Sequence, residues 1–334
     1  MPYTNETFEH KTILITGGAG FIGSNLAFYF QENHPKAKVI VFDTFRNEDR
    51  FSNGNLKSFG HFKNLLGFRG EIIQGDINNS KDLEKLKPYS IDIIFHQAAI
   101  SDTTVLDQGI MMQTNVNAFK DLLNIALEKN AKVVYASSAA TYGNSPSPQR
   151  IGHEAPENVY GFSKLAMDNL ALDFAQKSGL TIIGLRYFNV YGPREYYKNK
   201  TASMVVQLGH QILSGKAPRL FYDSDKIVRD FIYIEDVIKA NILALKGKRS
   251  AVYNVGTSKP RSFQDIADIL QKELGTNLGT DYFQNPLSAY QAHTQADISL
   301  TSRELGFSPD FTLEKGIKAY IPEIKRLFEV ECAK

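Results

Sequence analysis

"TILITGGAGFIGSNLAFYF", residues 12–30, sets the architecture of everything that follows it. A strand-length apolar run ends at Thr16, the chain turns through Gly17-Gly18-Ala19-Gly20, and an amphipathic run opens at Phe21. Both Gly18-x-Gly20-x-x-Gly23 and Gly17-x-x-Gly20-x-x-Gly23 can be read here. Glycine strings alone are weak evidence, because glycines collect in turns. A string between a strand and a helix has the context that a dinucleotide-binding fingerprint requires. There the glycines permit a tight turn and let backbone N–H groups approach a pyrophosphate at the helix N-terminus. Asp43 ends the next apolar run, where a carboxylate can accept from the adenosine ribose hydroxyls. Arg46 and Arg50 follow and can pair with a 2′-phosphate, so these residues leave both NAD and NADP open.

Further along, short β-rich runs alternate with helical stretches. "AKVIVFD" (37–43), "EIIQGDI" (71–77), "IDIIFHQAA" (91–99), "AKVVYASS" (131–138) and "TIIGLRYF" (181–188) read as the second to sixth strands. A helical stretch runs to about Leu127, and another begins near Tyr160. This alternation predicts βαβ units and a parallel sheet. "RDFIYIEDVIKANILAL" (229–245) and "AVYNVGT" (251–257) read as returns to that sheet. Residues 189–228, 258–289 and 301–334 read as a smaller, interleaved lobe; 1–188, 229–257 and about 290–300 read as the nucleotide-binding domain. The Pro-rich loop 143–158 follows a strand, where α/β proteins carry active-site loops.

The bulk composition excludes several classes of function. The chain has 334 residues, 43% hydrophobic and 22% charged, with a net charge of +2, which gives no electrostatic case for a nucleic-acid or membrane partner. Its single cysteine, Cys332, can form no internal disulfide, and no Cys/His spacing suggests a metal. The polar N-terminus is unlike a signal peptide, and no apolar run is long enough to span a bilayer. A cytoplasmic location is expected.

"NVYGFSKLAMD" holds Tyr160 and Lys164 four apart at a predicted helix start, so both lie on one face. A phenol is a poor base at its reference pKa of about 10. A nearby ammonium and an oxidised nicotinamide are expected to lower that value, so that the phenolate takes a hydroxyl proton as hydride leaves the same carbon. Ser138, at the end of the fifth strand, can hydrogen-bond the reacting oxygen. A lone Tyr-x-x-x-Lys is usually a surface pair; the glycine fingerprint upstream makes chemistry the better reading.

Together "TGGAGFIGS", "GDI" (75–77), "HQAA" (96–99), "TNV" (114–116), "SSAATYG" and "YGFSK" resemble the extended short-chain dehydrogenase/reductase family over nearly the whole chain. The resemblance implies an α/β fold: a Rossmann-type doubly wound parallel sheet with a smaller interleaved α/β substrate lobe. It implies tightly bound NADP, with NAD the alternative, and a nucleotide-sugar substrate. Cofactor contacts are then expected from Gly17, Gly20, Phe21, Ile22, Gly23, Asp43, Thr44, Arg50, Asp76, Ile77, Gln97, Ala98, Ala99, Ser101, Asn115, Val190, Tyr160 and Lys164. His96 and Asn115 also have a plainer reading, as groups that satisfy buried backbone. A homo-oligomer, with a pentamer as one candidate, is the expected assembly.

"YFNVYGPREYYKNKTAS", residues 187–203, adds a second basic group. With "LFYDSDKIVRDFIYIEDV" (220–237) and "YQAHTQAD" (290–297), it is similar to family members that epimerise C6 of an ADP-linked heptose. Lys198 holds the position of those enzymes' second acid/base, and Lys200 is the alternative. An exocyclic ketone can turn about one bond, so its oxygen visits two positions, each needing a proton donor or acceptor. The similarity also implies substrate contacts from Ser101, Asn189, Lys198, Lys200, Gln207, Phe221, Tyr222, Asp223, Ser224, Arg229 and Tyr290, with Arg229 and Lys226 candidates for the diphosphate. The segment 51–70 reads as a flap near the adenosine end, from which Lys57 or Lys63 can reach a 2′-phosphate. Two alternatives stay open: a nucleotide-sugar 4-epimerase, for which Lys198 is dispensable, and a non-catalytic NAD(P)-binding sensor. A 4,6-dehydratase is disfavoured, because no Asp-Glu pair stands near "SSAATYGN".

Overall fold

The computed structural model describes residues 3–285 and 293–332. Six strands alternate with helices through the first half: β1 (Thr12–Thr16), β2 (Lys38–Asp43), β3 (Glu71–Gln74), β4 (Ile93–His96), β5 (Lys132–Ser138) and β6 (Ile182–Tyr187). After them come β7 (Asn189–Tyr191), β8 (Arg219–Phe221), β9 (Val228–Arg229), β10 (Phe231–Tyr233), β11 (Ala251–Val255), β12 (Arg261–Ser262) and β13 (Asp281–Phe283). The main sheet has the order β11-β6-β5-β4-β1-β2-β3, and every pairing in it is parallel. This is the doubly wound order, with its switch point between β1 and β4, where ligands bind beyond the carboxyl ends of the strands.

Alternation along each strand splits the core between two faces. Ile13, Ile15, Val39 and Val41 pack with Leu26 and Phe30 of the helix Phe21–Asn33. Leu14, Ile40, Phe42 and Ile94 face the other way, against Phe119, Leu122 and Met167. The helical stretch expected to reach Leu127 is broken: Gln108–Met112 is α-helical, Gln113–Asn117 forms a π turn, and Ala118–Lys129 resumes the helix.

Of the two stretches expected to return to the main sheet, 251–257 does and 229–245 does not. Ala251–Val255 joins it beside β6, but Phe231–Tyr233 pairs with β7 in a separate two-stranded sheet. The edge of β6 is already taken by β11, so β10 finds its partner in the chain just beyond Phe188. Beyond this sheet the helices Met204–Leu213, Phe263–Leu274 and Leu313–Leu327 pack on one another. Ser262 and Asp265 form a capping box at the start of the second of these, and Gly275 ends it in the left-handed region. Leu208, Leu270, Ile317 and Ile324 belong to the same apolar cluster as Ile13 and Ile15, so one core runs from the sheet into these helices.

Candidate active site

A cavity of about 460 Å³ lies at the carboxyl ends of β1 to β6. Its floor is the glycine loop. Gly17 has φ +68, and a Cβ there would come within 2.6 Å of the Ala98 nitrogen. A Cβ on Gly23 would lie 2.3 Å from the Gly17 carbonyl oxygen, so both positions exclude any side chain. Gly20 caps the helix without a side-chain hydrogen bond, while Phe21, Ile22 and Gly23 of the first turn line the cavity. An uncapped helix N-terminus in a cradle with no room for Cβ atoms fits a dinucleotide pyrophosphate.

Asp43 and Thr44 line the cavity next to this loop. The Asp43 carboxylate accepts from Ala19 N (2.9 Å) and Phe45 N (2.8 Å), which fixes the loop from beneath. Burial pushes its carboxyl pKa up and those two N–H donors pull it down. The flap folds onto the glycine loop, because His61 N and Asn64 Nδ2 both donate to the Ala19 carbonyl (3.0 Å each). Phe51, Lys57, Ser58 and Gly60 thereby join Asp76 and Ile77 in the wall. Lys63 does not; its ammonium lies 2.6 Å from Glu331. The two arginines expected near a 2′-phosphate are also outside the lining. Arg46 donates to the Tyr197 carbonyl instead. Arg50 is exposed, flanked by Asp49 and Phe51, which do line the cavity, and its backbone bridges Leu56.

Gln97, Ala98, Ala99 and Ser101 run along one wall. Asn115, expected as a cofactor contact, does not reach the cavity. Fully buried in the π turn, it accepts from Ile100 N (2.8 Å) and donates to Ile100 O (3.1 Å) and Ser163 Oγ (2.9 Å). It therefore pins that wall, which is the plainer of its two readings. The Pro-rich loop 143–158 contributes nothing to the lining; its Glu154 pairs with buried Arg186.

Tyr160 and Lys164 enter from the helix Val159–Ser178, whose start is capped by Asn158 accepting from Gly161 N (2.8 Å). The Lys164 ammonium donates to Ala136 O (2.7 Å) and sits 6.0 Å from the Tyr160 ring centroid. Burial brings its pKa down to about 8, against the pull of Asp168. Ser138, held by Ala140 N donating to its hydroxyl (3.1 Å), hydrogen-bonds the Tyr160 phenol. Burial nevertheless pushes the phenol up, with the Ser138 bond pulling the other way. The expected lowering by Lys164 is thus not met by the protein's own groups, because desolvation of a phenolate outweighs them.

Lys198 lines the same cavity, and Lys200, two residues on, is exposed and does not. The backbone between them kinks at Asn199 (φ 54, ψ −123), which turns the two lysines apart. Burial lowers the Lys198 pKa, opposed by Glu195 and Asp102. Sequence reasoning missed both carboxylates. Glu195, 1% exposed, accepts from Gly192 N (3.0 Å), Ser203 N (2.6 Å) and Ser203 Oγ (2.8 Å), so it closes the loop that carries Lys198. Its only signal was its place after Gly-Pro-Arg; Asp102 gave none. Arg194 is structural: it donates to Asn64 O (3.2 Å) and Asn25 Oδ1 (3.1 Å) and stacks 4.0 Å over Phe28.

Of the remaining expected contacts, Val190 and Ser101 line the cavity. Asn189 is exposed and outside the lining, and Gln207 donates to Ala202 O (2.6 Å). Phe221 packs on Phe283, Tyr222 stacks on Tyr282, and Asp223 pairs with Lys226 (2.6 Å), all in the β8–β9 region outside the cavity. Ser224 and Arg229 are buried there, Arg229 with its guanidinium 5.8 Å from the Phe263 ring. Tyr290 lies outside the described residues. Among the described residues no cluster of His, Cys, Asp or Glu could hold a metal, and no helix is long and apolar enough to cross a membrane.

Fold and site together define a class. The model of the NAD dependent epimerase/dehydratase family matches residues 13–256, and the chain belongs to that family. It is an epimerase-type enzyme of the extended short-chain dehydrogenase/reductase fold, built for a nicotinamide dinucleotide. Among solved structures it is similar to the ADP-L-glycero-D-manno-heptose-6-epimerase of Helicobacter pylori, with 52% identity over 97% of this chain and 99% of that one, TM-score 0.90. It is also similar to the UDP-N-acetylglucosamine 4-epimerase of Methanobrevibacter ruminantium (28% identity, 95% and 99% covered, TM-score 0.83). The UDP-glucose 4-epimerase of Thermotoga maritima matches at 26% identity over 95% and 99%, TM-score 0.84.

Proposed function

We propose that the protein epimerises C6 of the heptose in ADP-D-glycero-D-manno-heptose, giving the L-glycero epimer through a transient 6-keto sugar reduced on its opposite face. One observation carries the reading: Tyr160 and Lys198, from separate segments of the chain, line a single cavity. The 52% identity to the Helicobacter pylori 6-epimerase supports it.

The glycine loop would hold NADP, with NAD the alternative, which would supply reversible hydride acceptance; Lys57 in the cavity wall would be the cation available to a 2′-phosphate. The protein's own groups then manage the proton and the geometry. Tyr160, hydrogen-bonded by Ser138, exchanges the proton of the C6 oxygen on one side, and Lys164 orients it from one helical turn away. After the C5–C6 bond turns, the same oxygen faces Lys198, which serves as the partner of opposite proton state. Lowering of the Lys198 pKa by burial makes a neutral amine accessible. Residues 189–228, 258–289 and 301–334 form the substrate lobe on this reading. Substrate contacts from Asn189, Lys200, Gln207, Tyr222 and Arg229 would require that lobe to close. Cytoplasmic residence and a homo-oligomer, with five subunits as a candidate, belong to the same proposal.

A ring-carbon 4-epimerase is the second reading, favoured by the fact that Tyr160, Lys164 and Ser138 alone would serve it. Proton NMR of ADP-D-glycero-D-manno-heptose with purified protein and no added cofactor separates the two. Appearance of the L-glycero epimer is the expected result. No change there, with conversion of a UDP-hexose, would replace the first reading by the second.

A further inference from the structure

We propose that Tyr197 is a positioning residue: it latches the segment carrying Lys198 to the flap over the adenosine end, and so sets Lys198 against the oxygen of the reacting carbon. The inference rests on the reading of Lys198 as the second acid/base.

Three elements remote in sequence meet on Tyr197. The His61 ring of the flap stacks on its ring, with centroids 4.0 Å apart and planes 3° from parallel. Its hydroxyl donates to Glu331 Oε1 (3.0 Å), the oxygen that also holds Lys63 at 2.6 Å. Its carbonyl, part of the peptide bond that leads into Lys198, accepts from the Arg46 guanidinium. His61 in turn donates its backbone N–H to Ala19 of the glycine loop. A continuous path of contacts therefore runs from the pyrophosphate cradle through His61 and Tyr197 to Lys198.

The backbone gives that path a task. Asn199 is held at φ 54, ψ −123, a sparsely populated conformation that persists only where the surroundings over-determine it. Glu195 closes the loop downstream at Ser203, and Tyr197 is the anchor immediately upstream of Lys198. Without the stack, relaxation at Asn199 would swing Lys198 away from the cavity while Tyr160 and Lys164, on another element, stay in place.

Amide hydrogen exchange and steady-state kinetics on the holoenzyme test this with Tyr197→Leu and Tyr197→Phe. Tyr197→Leu is expected to speed exchange in residues 196–203 by about tenfold or more, leaving the helix Val159–Ser178 unchanged. It is expected to lower kcat about a hundredfold with KM and bound cofactor little altered. Tyr197→Phe keeps the ring stack and is expected to stay within about fivefold of wild type. His61→Ala, which removes the stack from the other side, repeats the exchange result should Tyr197→Leu fold poorly. Unchanged exchange at 196–203 in both Tyr197→Leu and His61→Ala would overturn the latch, as would faster exchange there with kcat intact. Exchange needs no substrate, so a wild-type enzyme inactive on the heptose would sink the functional reading while leaving the latch itself to be judged.

Discussion

Burial lowers the pKa of both lysines that face the cavity, Lys164 to about 8 and Lys198 in the same direction. For Tyr160 burial acts the opposite way, pushing the phenol up. The two shifts run in opposite directions, and both favour the phenol with a neutral amine over the phenolate with an ammonium. One direction of the reaction starts from phenolate with ammonium, the other from phenol with neutral amine. Both forms carry the same number of protons, so their ratio does not change with pH. We therefore expect bell-shaped kcat/KM profiles whose two limbs coincide for the two epimers. The acid limb marks protonation of both groups and the alkaline limb loss of the shared proton. Profiles with limbs displaced between the two substrates would show that Tyr160 and Lys198 do not act as such a pair.

The helix Val159–Ser178 owes its position to a buried charge. Asp168, 1% exposed, accepts from Tyr135 OH (2.8 Å), Ser137 Oγ (3.0 Å) and Arg186 Nε (2.9 Å), tying the helix to β5 and β6. Tyr160 and Lys164 lie two turns and one turn before it, respectively, on the same helix. Asp168→Ala leaves the Arg186 guanidinium without the carboxylate oxygen that pairs with its Nε and one terminal nitrogen in the core, which costs about 3–5 kcal/mol. Urea denaturation is expected to show that loss; a change below about 1 kcal/mol would mean that Glu154 alone satisfies Arg186. The strands of the main sheet were legible because β-branched runs alternate with helices at regular spacing. β10 was not, since "DFIY" reads like any other strand and its partner depends on which edge is still free. Nor did spacing reveal the π turn that buries Asn115.

Across the molecule, the glycine-loop and Tyr160 sides of the cavity lining could be read from sequence, and the side that carries Lys198 only in part. Glycine spacing and a Tyr-x-x-x-Lys helix are local patterns, so the residues they mark come together once the sheet forms. Contacts such as His61 with Tyr197, or Glu331 with Lys63, join segments more than a hundred positions apart and leave no local trace. The core that runs from the sheet into the helices Met204–Leu213, Phe263–Leu274 and Leu313–Leu327 likewise joins segments far apart in the chain. What the sequence left undecided between two lysines, the kink at Asn199 separates in space. The most direct measurement is the rate of heptose epimer interconversion, followed by NMR, for Lys198→Met and Lys200→Met with bound cofactor intact. Lys198→Met is expected to lose about two to four powers of ten while Lys200→Met stays within about fivefold of wild type. The reverse ranking, or near-normal turnover by Lys198→Met, would contradict a second acid/base at Lys198.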